Sequence, residues 1–409
     1  MIMAGGEGSR LYPLTSERAK PAVNFGGKYR IIDFVLNNFI NSGIFKIKVL
    51  TQFKADSLIK HLATGWNLNR MLGQYIDAVP AQMRTGKVWY RGTADAVFQN
   101  INLIEDENPD YVAVFGADHI YKMDISQMLD FHRNVGAVAT VSAIPKPIEE
   151  AANTFGIIEI DNNGRMIGFE EKPERPKPVP FNPQLALVSM GNYIFNRQFL
   201  VRQLLQDANQ IKSSHDFGKD VIPHLYNEYP VYVYDFSNNR IPGESPEQSS
   251  YWEDVGSLKA YYAASMTLRN VEPKINLYNE AWPIRTAPGQ SPPAKFVCAG
   301  QGNNKRIGEA LDSIVAGGSI VRGGKIARSI LSRNVVVHSG AVVEDSILFP
   351  NVVIGEGAQV KKAIIDRGVH VAPGTKIGFD NEHDKKRFFV GEDNITVLSR
   401  PSSNPLASM

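Results

Sequence analysis

Four series of residues near the C-terminal end of the chain keep one period. Ile320, Val337, Ile354 and Val371 lie 17 apart, as do Ile326, Val343, Val360 and Ile377, and as do Ile314, Leu331, Leu348 and Ile365. Gly323, Gly340, Gly357 and Gly374 keep the same interval. Within each unit the aliphatics fall six apart, as in Leu348, Ile354 and Val360, so the rhythm is a hexapeptide with one residue dropped per coil. A fixed period of this kind marks a solenoid, in which each repeat buries its apolar face only by stacking on the next. The pattern predicts a parallel β-helix: three short faces per coil, one inward aliphatic per face, and a glycine where the corner needs a positive φ. Chance alternation in a sandwich would not hold four series in one register.

The chain of 409 residues is too long for this element alone. Up to about residue 265, aliphatic runs alternate with helix-length segments: Ile44 to Phe53, Asp56 to Trp66, Tyr111 to Phe115, Asp124 to Val135. This is an α/β layout with a largely parallel sheet. Asp124 with Gln127 is expected to form a capping box, with Gly136 stopping that helix. A hairpin from Ile157 to Phe169 should turn at Asn162-Asn163-Gly164, and the Pro-rich stretch Pro173 to Pro183 should be irregular. Glu272 to Pro293 has lost the alternation and holds five prolines. The expected division is therefore 1–271, a linker 272–293, and a β-helix over 294–409.

Lys plus Arg is 44 and Asp plus Glu 42, which excludes the basic excess of a nucleic-acid binder. One cysteine, Cys298, fits a reducing, cytoplasmic setting. Apolar runs fall short of the ~18 residues that span a bilayer, so no membrane partner is expected.

The strand Met1 to Ala4 runs directly into Gly5-Gly6-Glu7-Gly8-Ser9-Arg10. A glycine loop after a first strand lets backbone N–H groups approach phosphates, and Arg10 adds a planar fixed charge. The loop is neither G-x-G-x-x-G nor G-x-x-x-x-G-K-[ST], which argues against hydride transfer and P-loop hydrolysis. Arg18-Ala19-Lys20-Pro21 adds two cations, with Pro21 expected to hold Lys20 in extended backbone. Asp118 follows the strand Tyr111 to Phe115, at the carboxyl-end crevice of an open sheet, and Asp254 ends a short segment just before Gly256-Ser257. Gly92-Thr93 should cap a helix in which Val97, Ile101 and Ile104 share a face, its N-terminus toward a nucleotide. Gln82 carries an amide that both donates and accepts, as reading a nucleotide's base edge requires.

The run Ala4 to Phe34 resembles the glucose-1-phosphate adenylyltransferase (ADP-glucose pyrophosphorylase) family. So do Trp89-Tyr90-Arg91-Gly92-Thr93-Ala94-Asp95-Ala96, Gly116-Ala117-Asp118-His119, Glu171-Lys172-Pro173, Ser189-Met190-Gly191, Ser214-His215-Asp216-Phe217-Gly218-Lys219-Asp220 and Trp252-Glu253-Asp254. With the β-helix the likeness covers essentially the whole chain. It implies a Rossmann-like nucleotidyltransferase sheet, mixed but mostly parallel, followed by a left-handed parallel β-helix. It further implies transfer of the adenylyl group of ATP to glucose 1-phosphate, feeding glycogen-type storage, in a homotetramer regulated by phosphorylated metabolites. By the same likeness Arg10, Lys20 and Asp118 are catalytic, and Asp118 and Asp254 hold Mg²⁺. Tyr90, Gly156, Glu171, Lys172, Ser189, Tyr193, Asp216, Phe217 and Trp252 receive the sugar phosphate; Ala4, Gly5, Gly6, Gly8, Gly92 and Thr93 receive the nucleotide.

Departures from the family pattern bear on regulation. Glu17 stands where some members carry a lysine for a sugar bisphosphate activator, and a carboxylate there repels such a ligand. Met83 follows Gln82 where some carry a second glutamine. The competing readings are a pyrophosphorylase for a UDP-, dTDP- or GDP-sugar, a non-catalytic regulatory subunit, and a β-helix acyltransferase using His338 or His370. Arg10, Lys20, Asp118, Lys172 and Asp254 argue against the regulatory subunit.

Overall fold

The computed structural model describes residues 1–180, 182–300 and 305–400. Positions 301–304 and 401–409 of the expected β-helix region, and Phe181 of the Pro-rich stretch, lie outside the described residues.

The N-terminal region is built on a mixed sheet. Strand Ile2–Ala4 lies between Lys46–Thr51 and Tyr111–Gly116, parallel to both, and Tyr75–Pro80 adds a parallel edge. Beyond Tyr111–Gly116 the long strand Leu185–Asn196 runs antiparallel, and it also pairs with Ala139–Pro147 and with the strand Gly156–Ile160. The expected hairpin forms from Gly156–Ile160 and Met166–Glu171, with Gly164 at positive φ in its turn. Helices Ile31–Asn41, Asp56–Gly65 and Ile125–Asn134 cover the sheet with amphipathic faces. The register aligns the strand ends: Ala4 stands opposite Thr51, and Met3 opposite Gly116. The carboxyl ends of three parallel strands therefore open at one level, with Gly5, Gln52 and Asp118 just beyond them.

Two local expectations are revised. Asp124 caps its helix by accepting from the Ser126 N–H at 3.0 Å, but Gln127 donates to the Asp124 side chain rather than its backbone, so there is no reciprocal box. The single helix over Val97 to Ile104 is two, Thr93–Phe98 and Ile101–Glu107. Asn100 breaks it: its side-chain amide turns back to the Ala96 carbonyl at 2.8 Å and to the Tyr90 hydroxyl at 2.9 Å, the competition with the backbone that disfavours Asn within helices.

The C-terminal region is a parallel β-helix of three ladders, each strand two or three residues long. The inward positions are the buried ones: Val337, Ile354 and Val371 on one face, Ile326, Val343, Val360 and Ile377 on the next, Leu331, Leu348 and Ile365 on the third. The first coil departs from the period. Val321, not Ile320, pairs with Val337 and is buried, so this coil is one residue shorter than those after it. Its corner is Gly323-Gly324, and a Cβ on Gly324 would stand 2.7 Å from Val337 Cγ1, so only glycine allows so tight a turn.

The regions share a core. Ile330, Ile347, Ile364, Ile395 and Val397, on the β-helix, pack in one cluster with Leu11, Leu14, Phe25, Phe34 and Tyr261. The expected linker is pinned down as well. Asn37 brackets Arg285 with two backbone hydrogen bonds at 2.8 Å, and Thr286 donates to Asp33, which also accepts from His61, Trp66 and the Arg30 N–H. Five prolines end the α/β alternation without leaving the segment loose.

Candidate active site

Two hollows meet at the carboxyl ends of the parallel strands. The larger, about 460 Å³, is bounded by Ala4, Gly5, Gly6, Gly8, Arg10, Lys20, Tyr90, Gly92 and Thr93. The smaller, about 240 Å³, is bounded by Gly156, Glu171, Lys172, Ser189, Tyr193, Trp252 and Asp254. Thr93, Asp118 and Asp216 border both, so a group in one hollow lies beside a group in the other across Asp118.

The glycine loop is shaped by Lys20. Gly8 adopts φ 65°, and a Cβ there would lie 2.8 Å from Lys20 Cβ. Lys20 itself does not sit in extended backbone: it opens the 3-10 helix Lys20–Ala22, and the extended residue is Ala19, one position earlier. The restriction that precedes proline is a bias, and the Val23 N–H bonding back to the Lys20 carbonyl at 3.0 Å outweighs it. From this turn the Lys20 ammonium, only 5% exposed as a residue, reaches Asp118 Oδ2 at 3.0 Å and Asp254 Oδ1 at 2.9 Å. Burial acts to lower its pKa, but the two carboxylates together raise it, so it stays a cation. Against the desolvation of Asp118, Lys20 and His119 hold that carboxyl below its usual range. Arg10 stands 3.6 Å from Asp254 with its side chain mostly exposed toward the larger hollow.

Asp118, His119 and Asp254 place ligand atoms within 4.8 Å of one another; the two carboxylates are the oxygen donors that suit Mg²⁺, and His119 offers a ring nitrogen. The donor set fits a cation on a second ground: the Lys20 ammonium already bridges the same two carboxylates.

In the smaller hollow, burial pushes the Glu171 carboxyl up, Asp216 adds to it, and Lys172 at 3.7 Å partly offsets it. Hydroxyl donors would relieve that carboxylate. Lys172 sits at φ 51°, its side chain 52% exposed, at the turn after Met166–Glu171. Burial also raises the Tyr193 phenol. Asp216 is both a wall and a cap: Oδ1 accepts from the Gly218 and Lys219 N–H groups at 2.9 and 3.1 Å, and Oδ2 from the Thr93 hydroxyl at 2.9 Å.

Other assigned residues fall elsewhere. Phe217 lies behind Tyr193, ring centroids 5.4 Å apart, as core beneath the hollow. Tyr90 borders the larger hollow, not the sugar-sized one. Gln82 stands in a separate hollow with Lys48, Arg70 and Asp77, its amide oxygen accepting from Arg84 at 3.2 Å. The N-terminus of Thr93–Phe98 is not open to an anion, since the Ala94 and Asp95 N–H groups donate to the His215 carbonyl at 2.9 and 3.2 Å. Arg18, the other cation of the Arg18-Ala19-Lys20-Pro21 run, borders neither hollow and is paired with Asp366. Sequence reasoning missed two site residues. Gln52 accepts from the Tyr90 N–H at 2.7 Å, and the His119 ring meets that of Trp252 at a tilt of 59°, centroids 4.8 Å apart. The strand-end rule that finds Asp118 also finds Gln52, one residue past Lys46–Thr51.

Comparison with known proteins agrees in extent and kind. The "Nucleotidyl transferase" family matches residues 1–271, and "GlmU-like, C-terminal hexapeptide" matches 292–398. The chain is 53% identical over 401 residues to the glucose-1-phosphate adenylyltransferase of Anaeromyxobacter sp. (strain Fw109-5), covering 98% of this chain and 97% of the relative. It is 52% identical over 402 residues to glucose-1-phosphate adenylyltransferase 1 of Vibrio cholerae, covering 98% of each. To the Aliivibrio fischeri (strain ATCC 700601 / ES114) enzyme of the same name it is 51% identical over 400 residues, 98% of this chain and 97% of that one. These matches cover nearly the whole chain, and the chain belongs to the glucose-1-phosphate adenylyltransferase family, with a nucleotidyltransferase sheet and a left-handed hexapeptide β-helix.

Proposed function

We propose that the protein transfers the adenylyl group of ATP to α-D-glucose 1-phosphate, giving ADP-glucose and pyrophosphate for glycogen-type synthesis. The observation that carries this is the pair of hollows meeting at Asp118, with Lys20 between Asp118 and Asp254. The sugar phosphate oxygen attacks the α-phosphorus, the bond to the pyrophosphate oxygen breaks, and the electron pair leaves with pyrophosphate. The nucleophile is already an anion, so no general base is needed, and catalysis is alignment and charge neutralisation. In this reading Gly5, Gly6, Gly8 and Arg10 receive the triphosphate, Gly92 and Thr93 border it, and Lys172 meets the sugar phosphate. Glu171, Ser189, Tyr193 and Asp216 receive glucose hydroxyls, with Trp252 as a wall. Asp118 and Asp254 would hold Mg²⁺, which when bound neutralises phosphate charge.

We further take 1–271, 272–293 and 294–409 as catalytic domain, linker and β-helix domain. A homotetramer is supported by the end turn that precedes the Val321 coil, where Phe296, Ile307 and Leu311 are exposed apolar groups. Phosphorylated effectors are supported by the crowding of Arg18, Arg30 and Arg367: burial and the neighbouring guanidiniums lower both Arg30 and Arg367, and an anion would relieve them. Lys28 lies over the Tyr29 ring at 5.0 Å. No helix among the described residues is long and apolar enough to cross a membrane, in keeping with a cytoplasmic enzyme.

The test is a matrix of nucleoside triphosphates against sugar 1-phosphates with Mg²⁺, read by pyrophosphate release. ATP with glucose 1-phosphate should exceed every other pairing; equal or better turnover with UTP or dTTP would overturn the assignment.

A further inference from the structure

A buried ion pair joins the two regions. Arg18 meets Asp366 through both guanidinium nitrogens, Nη1 to Oδ1 at 2.8 Å and Nη2 to Oδ2 at 2.9 Å, with side chains 11% and 4% exposed. Among the described residues the other ion pair across this boundary, Lys259 with Asp393 at 3.0 Å, is solvent-exposed. A bidentate fork fixes distance and angle together, whereas a single exposed lysine contact fixes neither. Asp366 is itself held: its N–H donates to the Leu398 carbonyl at 2.8 Å, and the Arg367 N–H donates to its Oδ1 at 2.7 Å.

Only Ala19 separates Arg18 from Lys20, and it leaves no slack. Ala19 is fully buried, its N–H donates to the Lys54 carbonyl at 3.3 Å, and its own carbonyl accepts from the Ala22 N–H at 2.9 Å. A shift of the backbone at Arg18 is therefore passed to Lys20, and from Lys20 to the Gly8 loop that its Cβ supports. The anchor on one side of this three-residue segment is the β-helix; on the other it is the pair Asp118 and Asp254.

We propose that Asp366 is a positioning residue for the reaction: by holding Arg18 it sets where the Lys20 ammonium stands between Asp118 and Asp254. The inference rests on the reading of Lys20, Asp118 and Asp254 as the reacting centre. The β-helix thereby takes part in each turnover through one carboxylate that touches no substrate.

The test compares kcat and KM of the full-length chain as Asp366→Asn, Lys20→Gln and the double variant. Asp366→Asn should lower kcat about tenfold or more, since a remote change that misplaces a group by ~1 Å can cost about 10²-fold. Its KM for glucose 1-phosphate should stay unchanged, because Glu171 ends the strand Met166–Glu171 and Lys172 follows it, outside the segment Arg18 to Lys20. Lys259→Ala, which breaks the exposed pair, should leave kcat within about twofold. In the Lys20→Gln background Asp366→Asn should change kcat by less than about twofold, because coupled groups are not additive. Wild-type kcat in Asp366→Asn, or the same loss in both backgrounds, would overturn the proposal. Should circular dichroism show Asp366→Asn unfolded, Arg18→Lys replaces it, keeping the charge and losing the fork, with the same split expected and an equal loss in both backgrounds again decisive against it. Failure of the underlying reading shows separately, as a Lys20→Gln enzyme that keeps its kcat.

Discussion

The sheet region and the β-helix solve the same problem, burying aliphatic side chains on parallel strands, by opposite means. In the β-helix each strand's neighbour is one coil away, so position in the sequence gives position in space: Val343 pairs above with Ile326 and below with Val360. In the sheet region, Lys20, Asp118 and Asp254 come together from segments 98 and 234 residues apart. Repetition makes a robust support but leaves every coil alike, while a site needs unlike groups converging, which only long-range topology supplies.

The comparison is broken most sharply by a substitution that should destroy activity without touching the fold. Asp118→Asn keeps the shape and removes the charge that faces Lys20, and kcat should fall by about 10³-fold or more with the fold retained by circular dichroism. Measured turnover close to wild type at saturating Mg²⁺ would remove Asp118 from the reaction. The converse variant is Leu348→Ala. That side chain is fully buried inside the coil stack, so its loss should cost about 2–5 kcal/mol of stability in denaturant while kcat well below the melting temperature stays near wild type. A comparable fall in kcat would mean that packing inside the stack, and not only Asp366 on its flank, bears on the reaction. The smallest effect belongs to Lys172→Gln. A half-exposed ammonium that meets the sugar phosphate in ground and transition states alike should raise the KM for glucose 1-phosphate about tenfold and leave that for ATP almost unchanged. Equal rises in both would place Lys172 elsewhere.

The same contrast explains what the sequence discloses. The three ladders are legible because their period repeats, and the one coil that departs from expectation is the one where Gly323-Gly324 shortens the corner. Asp118 is legible from its place after a strand, by a rule about parallel sheets. Gln52 obeys that rule too, but no charge draws attention to it. The split of the helix at Asn100 is hidden because the apolar period runs on across it, while the polar residue that breaks it bonds back to Ala96 and Tyr90. The displacement of Phe217 behind Tyr193 is hidden for a related reason, as a buried aromatic wall and the layer behind it have the same composition. Nothing in the periodicity foretells that Ile330, Ile347 and Ile364 turn toward Phe25 and Phe34.

That shared core also bears on how the chain is made. During synthesis, Leu11, Leu14 and Phe25 leave the ribosome long before the isoleucines that cover them, and 348 residues separate Arg18 from Asp366. At about 5–20 residues per second the first partner waits on the order of 20–70 s for the second. For that interval the nascent protein carries an apolar face with no native cover, and it is there that a chaperone would bind and a truncated message would aggregate.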